Sequence, residues 1–119
     1  MNNDNLITIY HNPRWGKSRK SVQILEENNK EYQIIEYLKH PLTIKELKVL
    51  GGKLKLKPSE FIRKGEQIFK DLNLLNKLNN DNVLYQKISE HPKLMERPII
   101  INGEVAIIGR PPENIFKII

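Results

Sequence analysis

Residues 6–22 read LITIYHNPRWGKSRKSV, and the fold follows from how this stretch is parsed. Leu6–Tyr10 predicts a strand, with Ile7 and Ile9 on one face and Thr8 between them. His11-Asn12-Pro13 breaks it, because Pro13 has no N–H for a ladder and biases Asn12 away from helix. A helix follows from about Ser18, a suitable N-cap, to the Asn28-Asn29 pair, which suits a left-handed stop. Strand, tight loop and helix N-terminus together aim backbone N–H groups and a positive dipole end at one region. Proteins place anions or nucleophilic thiolates in such a setting. This loop has no cysteine, and neither has any other part of the 119 residues.

Glu31–Leu38 predicts a second strand, so the start is β-α-β, which calls for a parallel pair joined by a crossover. Thr43 and Glu46 have capping-box spacing, opening a helix with Ile44, Leu47 and Leu50 that stops at Gly51-Gly52. Pro58-Ser59 starts a short helical piece, and Gly65–Leu72 reads as helical or irregular. Asn73–Asn82 reads as a polar loop, and Asp81 as the cap of a helix ending at His91-Pro92. Pro98–Ile101 and Glu104–Ile108 flank Asn102-Gly103, a hairpin signal. Pro111-Pro112 opens a last helix over Glu113–Ile118. The order β-α-β, helical middle, β-β-α is that of a thioredoxin-like α/β fold. The chain is read as one domain, residues 1–119, with a helical insertion at about 43–92.

Composition narrows the function classes. No apolar run approaches the roughly 18–20 residues of a membrane span. The start MNNDNL shows neither a basic nor an apolar leader region, so the expected location is the cytoplasm. The formal charge of +6 is compatible with nucleic-acid binding or with a solvated lysine surface. Lys53, Lys55 and Lys57 alternate with leucines and lack interleaved aromatics, so nucleic acid is not the expected partner. His11, His40 and His91 are far apart, so neither a metal site nor a cofactor is expected. Arginine is scarce beside lysine: Arg14, Arg19, Arg63, Arg97 and Arg110 are its five positions. Its planar fork grips an oxyanion in two places, whereas lysine acts as a point charge. Gly16-Lys17-Ser18 is not a phosphate-binding P-loop, because His11 stands where that motif needs glycine.

Five stretches then carry a resemblance: IYHNPRWGKSRKSVQILEE (9–27), IIEYLKHPLTIKEL (34–47), FIRKGE (61–66), LYQKISEHPKLMERPIIING (84–103) and GRPPENI (109–115). The chain resembles the glutaredoxin-coupled arsenate reductases, the ArsC-type proteins, and more distantly the Spx regulators of the same fold. The resemblance implies a catalytic cysteine two places after the loop proline, and Trp15 occupies that position. It further implies that Arg63, Arg97 and Arg110 grip an anion and that His11, Asn12, Gly16, Ser18 and Arg19 form the site loop. A cis bond is expected before Pro98, turning Arg97 toward residues 12–18.

Family chemistry would be attack of a thiolate on arsenate, then glutathione and glutaredoxin steps through the same sulfur. An indole cannot form that adduct, and the cysteine pair of an Spx switch is also absent. The expectation is therefore a family member without reductase activity that binds a small oxyanion or an anionic group of a partner. The alternatives are an Spx-like regulator docking on a protein such as RNA polymerase, and an arsenate reductase on similarity alone. Several local readings stay open. His11 serves as acid/base or simply bonds backbone. Trp15 is a stacking platform or a plug in the thiol pocket. The arginines hold an anion, or Arg97 and Arg110 pair with Glu96, Glu104 or Glu113.

Overall fold

A computed structural model describes residues 6–119. The reading of the polar start, residues 1–5, lies outside them. The chain divides into two compact units, residues 6–37 with Arg97–Ile119, and Leu38–Glu96.

The first unit is a four-stranded mixed sheet of order β2-β1-β3-β4. Its strands are β1 (Ile7–Tyr10), β2 (Tyr32–Ile35), β3 (Ile99–Asn102) and β4 (Val105–Ile108). β1 runs parallel to β2 and antiparallel to β3, and β3 is antiparallel to β4. This is the thioredoxin-like arrangement expected from the order of elements. Helix α1 (Gly16–Glu27) crosses over between β1 and β2. A 3-10 segment, Pro112–Lys117, closes the chain where a last helix was expected. Ile7, Ile9, Ile24, Leu25, Ile100 and Ile115 form the core, so the odd-numbered face of β1 packs with both helical segments. The burial of such side chains is the main stabilising term in a unit of this size.

Several local expectations need correction. α1 begins at Gly16, with Trp15 as N-cap in extended backbone, and not at Ser18. Ser18 does not cap the helix, because its buried hydroxyl accepts from the Asn12 N–H at 3.4 Å. The helix ends at Glu27, and Asn29 adopts the left-handed conformation (φ 56°) beyond it. β2 is shorter than Glu31–Leu38. In the β3–β4 hairpin Asn102 pairs with Val105, so Gly103-Glu104 is the two-residue loop and Asn102 belongs to the strand. Gly103 carries the positive φ (63°) that the first position of such a loop requires.

The second unit holds the helices α2 (Ile44–Leu54), α3 (Pro58–Phe61), α4 (Gln67–Asp71) and α5 (Asp81–Glu90). It runs wider than the expected 43–92. The Thr43–Glu46 capping box forms, with bonds of 3.1 and 2.9 Å. Gly51-Gly52 does not stop α2, which continues to Leu54 and ends on left-handed Lys55. Gly51 lies inside the helix at a place where a side chain would be tight. A Cβ there would come 3.2 Å from the Leu56 carbonyl oxygen and 3.3 Å from the Tyr85 hydroxyl. Asn80, not Asp81, caps α5, its side chain accepting from the Val83 N–H at 3.2 Å. The expected Asn73–Asn82 loop contains a 3-10 turn, Leu74–Lys77, because Leu74 is buried. No described helix is long and apolar enough to cross a membrane.

Glycine packing gives a direct stability test. A Cβ on Gly109 would lie 3.0 Å from each of Ile100 Cδ1, Pro98 Cγ and Ser21 Oγ. Gly109→Ala should cost about 1–3 kcal/mol, the scale of overpacking, and lower the thermal midpoint by several degrees. Gly52 is exposed in α2 with nothing within 4 Å of its added Cβ. Gly52→Ala should therefore stabilise by about 0.5–1 kcal/mol. Urea denaturation of the two variants checks both signs.

Candidate functional site

Tyr10, at the end of β1, pairs with Ile35 on one side and Ile99 on the other. That register sets the His11 loop beside Arg97-Pro98, the residues just before Ile99. The loop is held from within. The Trp15 N–H donates to the Asn12 carbonyl at 3.0 Å, closing a turn. The Arg14 N–H donates to the Asn12 side-chain oxygen at 3.1 Å, which places an Asx-turn across the proline. Arg19 Nη1 donates to the Pro13 carbonyl at 2.9 Å, tying the helix back to the loop. Asn12 and Ser18 are buried, so they build the loop from beneath.

α1 starts immediately after this turn. No side chain caps its N-terminus, and its first turn holds no acidic residue. Its first N–H groups have no acceptor inside the helix, as in any α-helix. Arg14, Lys17, Arg19 and Lys20 are exposed around it, so the local field is positive.

The Arg97 guanidinium carbon lies 3.5 Å from the centre of the Trp15 ring. Arg97 is 5 % exposed, whereas Trp15 is 46 % exposed. A buried guanidinium needs compensation, and a tryptophan face offers the strongest aromatic attraction for a cation. Stacking uses the flat face of the guanidinium, while its N–H groups donate in the plane. The Arg97–Pro98 and Arg110–Pro111 bonds are both cis; sequence reasoning pointed only to the first. Behind Pro98, its carbonyl accepts the Gly109 N–H at 2.8 Å. The Asn114 side chain donates to the Ile108 and Arg110 carbonyls at 3.2 and 3.1 Å, fixing the turn that carries exposed Arg110.

Arg63 belongs to the second unit. Its Nε meets Glu66 at 3.1 Å and its Nη1 meets Glu96 at 3.4 Å. The guanidinium is thus engaged by two carboxylates of its own unit. Among the described residues no cluster of His, Cys, Asp and Glu is arranged to hold a metal. Of the residues singled out in the sequence, the first unit gathers His11, Asn12, Gly16, Ser18, Arg19 and Arg97 around Trp15. Sequence reasoning missed Asn114 and Gly109. The only trace of their role is that they bracket the Arg110-Pro111-Pro112 turn.

His11 is 7 % exposed, and its Nδ1 has no hydrogen-bond partner among the described residues. Its backbone N–H donates to Ile35, extending the β1–β2 ladder. Burial pushes its imidazole below the ordinary 6.5; Arg19 acts in the same direction and Glu36 partly opposes. Below pH 6.5 the unfolded chain then takes up a proton before the folded chain does. Stability should accordingly fall as the pH drops through 6.5. Urea denaturation between about pH 5.5 and 7.5 should show this slope, reduced in His11→Gln. Equal slopes in the two proteins would contradict it.

Comparison with known proteins places the chain in a family. The pattern of the ArsC family matches residues 10–118. The uncharacterized protein YfgD of Escherichia coli K12 is 39% identical over 117 residues, covering 95% of this chain and 96% of its own length. The arsenate reductase of Haemophilus influenzae is 39% identical over 114 residues, covering 95% of this chain and 98% of its own. The solved arsenate reductase of Vibrio cholerae superposes with a TM-score of 0.92 at 38% identity, covering 96% and 98% of the two chains. With the family pattern spanning the loop, both arginine-proline turns and the sheet between them, the chain belongs to the ArsC family.

Proposed function

We propose that this ArsC-family chain does not reduce arsenate through a thiolate and instead binds a small oxyanion at the Trp15 loop. The single observation that supports the reading most is the buried Arg97 guanidinium set against Trp15, beside the uncapped start of α1. A guanidinium and helix N–H groups are complementary to a tetrahedral or planar oxyanion. The resemblance names Arg110, exposed on the neighbouring turn, as a second fork. The resemblance also names Arg63, whose present partners are Glu66 and Glu96. The chemistry is limited by the sequence itself, since 119 residues without cysteine hold no sulfur nucleophile. Nothing else in the loop replaces it: an indole is neither a leaving group nor a redox carrier in that cycle.

Phosphate, sulfate or arsenate should raise the melting temperature in a saturable manner, above a chloride control of equal ionic strength. At about ten times the dissociation constant the gain is roughly 1.4 kcal/mol, or a few degrees. Arg110→Gln, on an exposed side chain, should weaken the shift without unfolding the chain. An unchanged melting temperature at millimolar anion contradicts the proposal.

Restoring the sulfur tests the other half. Trp15→Cys should give measurable arsenate reduction with glutathione and glutaredoxin, where the parent chain gives none. Turnover by the parent chain would refute the absence of reductase activity.

A further inference from the structure

We infer that the anion received at this loop carries a flat ring, as an aryl or heteroaryl phosphate or carboxylate does, and that the ring stacks on the indole face opposite Arg97. This rests on the loop being an anion receptor and names what accompanies the charge. The first support is an asymmetry of burial. Arg97 covers one face of Trp15 at 3.5 Å and is itself 5 % exposed, yet Trp15 remains 46 % exposed. A side chain that merely plugged the thiol pocket would be buried. With Arg97 over one face, the opposite face is the side on which the exposed indole can receive a ring.

The backbone that carries the platform is tied down, and Arg97 lies against the ring itself. Trp15 is tied through its own N–H to Asn12, and the preceding and following turns are tied by Arg14 N–H to Asn12 and by Arg19 to Pro13. A loop backbone already ordered in this way loses little freedom when a ligand settles on it. Every base or arene has a π-face, so stacking selects flatness and not a hydrogen-bond pattern. Charge supplies the second selection. Arg14, Lys17, Arg19 and Lys20 surround the start of α1, which has no acidic residue in its first turn, so a cationic ring is repelled and a neutral one gains nothing from the charge. A further polar atom is present in the same loop, since the Nδ1 of buried His11 has no partner among the described residues.

Trp15 is the one tryptophan of the chain, so its emission reports this site alone. The full chain is titrated with inorganic phosphate, phenyl phosphate, adenosine 5′-monophosphate and phenol, following emission and melting temperature. The ring-bearing phosphates should quench Trp15 and bind about ten- to a hundredfold tighter than inorganic phosphate, with phenol far weaker. In Trp15→Leu, read by melting temperature, the ratio of phenyl phosphate to inorganic phosphate affinity should fall to about one. Trp15→Tyr should keep part of it. Equal affinity for phosphate and phenyl phosphate in the parent chain overturns the ring but leaves the anion receptor standing. A ratio preserved in Trp15→Leu, or phenol binding as tightly as phenyl phosphate, also overturns it. No binding of any anion overturns both readings.

Discussion

The register of β1 constrains the rest of the sheet unit. Because Tyr10 stands opposite both Ile35 and Ile99, the strand must give way to the loop at the point where Arg97-Pro98 enters β3. A shift by one residue would turn Ile7 and Ile9 out of the core and carry Trp15 away from Arg97. Burial of those isoleucines with Leu25, Ile100 and Ile115 therefore fixes the site geometry, although none of them belongs to the site. Gly109 adds to the constraint. It sits where Pro98, Ile100 and Ser21 leave no room for a side chain, so the turn bearing Arg110 is pressed against the strand that Arg97 precedes.

Arg97 then presents an electrostatic problem, and an aromatic ring contributes to its solution. A guanidinium at 5 % exposure has given up most of its hydration. In a thiol-bearing relative, the position two residues past the loop proline would hold a sulfur. Here it holds an indole whose face meets the cation. The position offers no sulfur nucleophile and lies against a positive charge. It also leaves about half of the indole in water, where a ring could lie on it.

Features set by neighbours in sequence were legible before the structure. The His11-Asn12-Pro13 break, the Thr43–Glu46 box, the Asn28-Asn29 stop and the two strands around Gly103 are all local chemistry, and the thioredoxin-like order follows from them. Features set by distant packing were not. Gly51-Gly52 looks like a helix stop until Tyr85 and Leu56 are seen to need the space inside α2. Ser18 looks like an N-cap until its hydroxyl is found serving Asn12 below the helix. The partners of Arg63 were unreadable for the same reason, since Glu96 lies far along the chain. The family resemblance named the loop and the arginines, but the stack of Trp15 on Arg97 depends on strand register and side-chain rotamers that no pattern encodes.

The most direct measurement is a double-mutant cycle on the stack itself: the parent chain, Trp15→Leu, Arg97→Met and the double variant, each unfolded in urea and followed by circular dichroism. The account predicts a favourable coupling of about 1–2 kcal/mol between the two side chains, as expected of a desolvated cation over an indole. Losses that add to within roughly 0.3 kcal/mol would contradict it, because Arg97 would then owe nothing to the Trp15 ring.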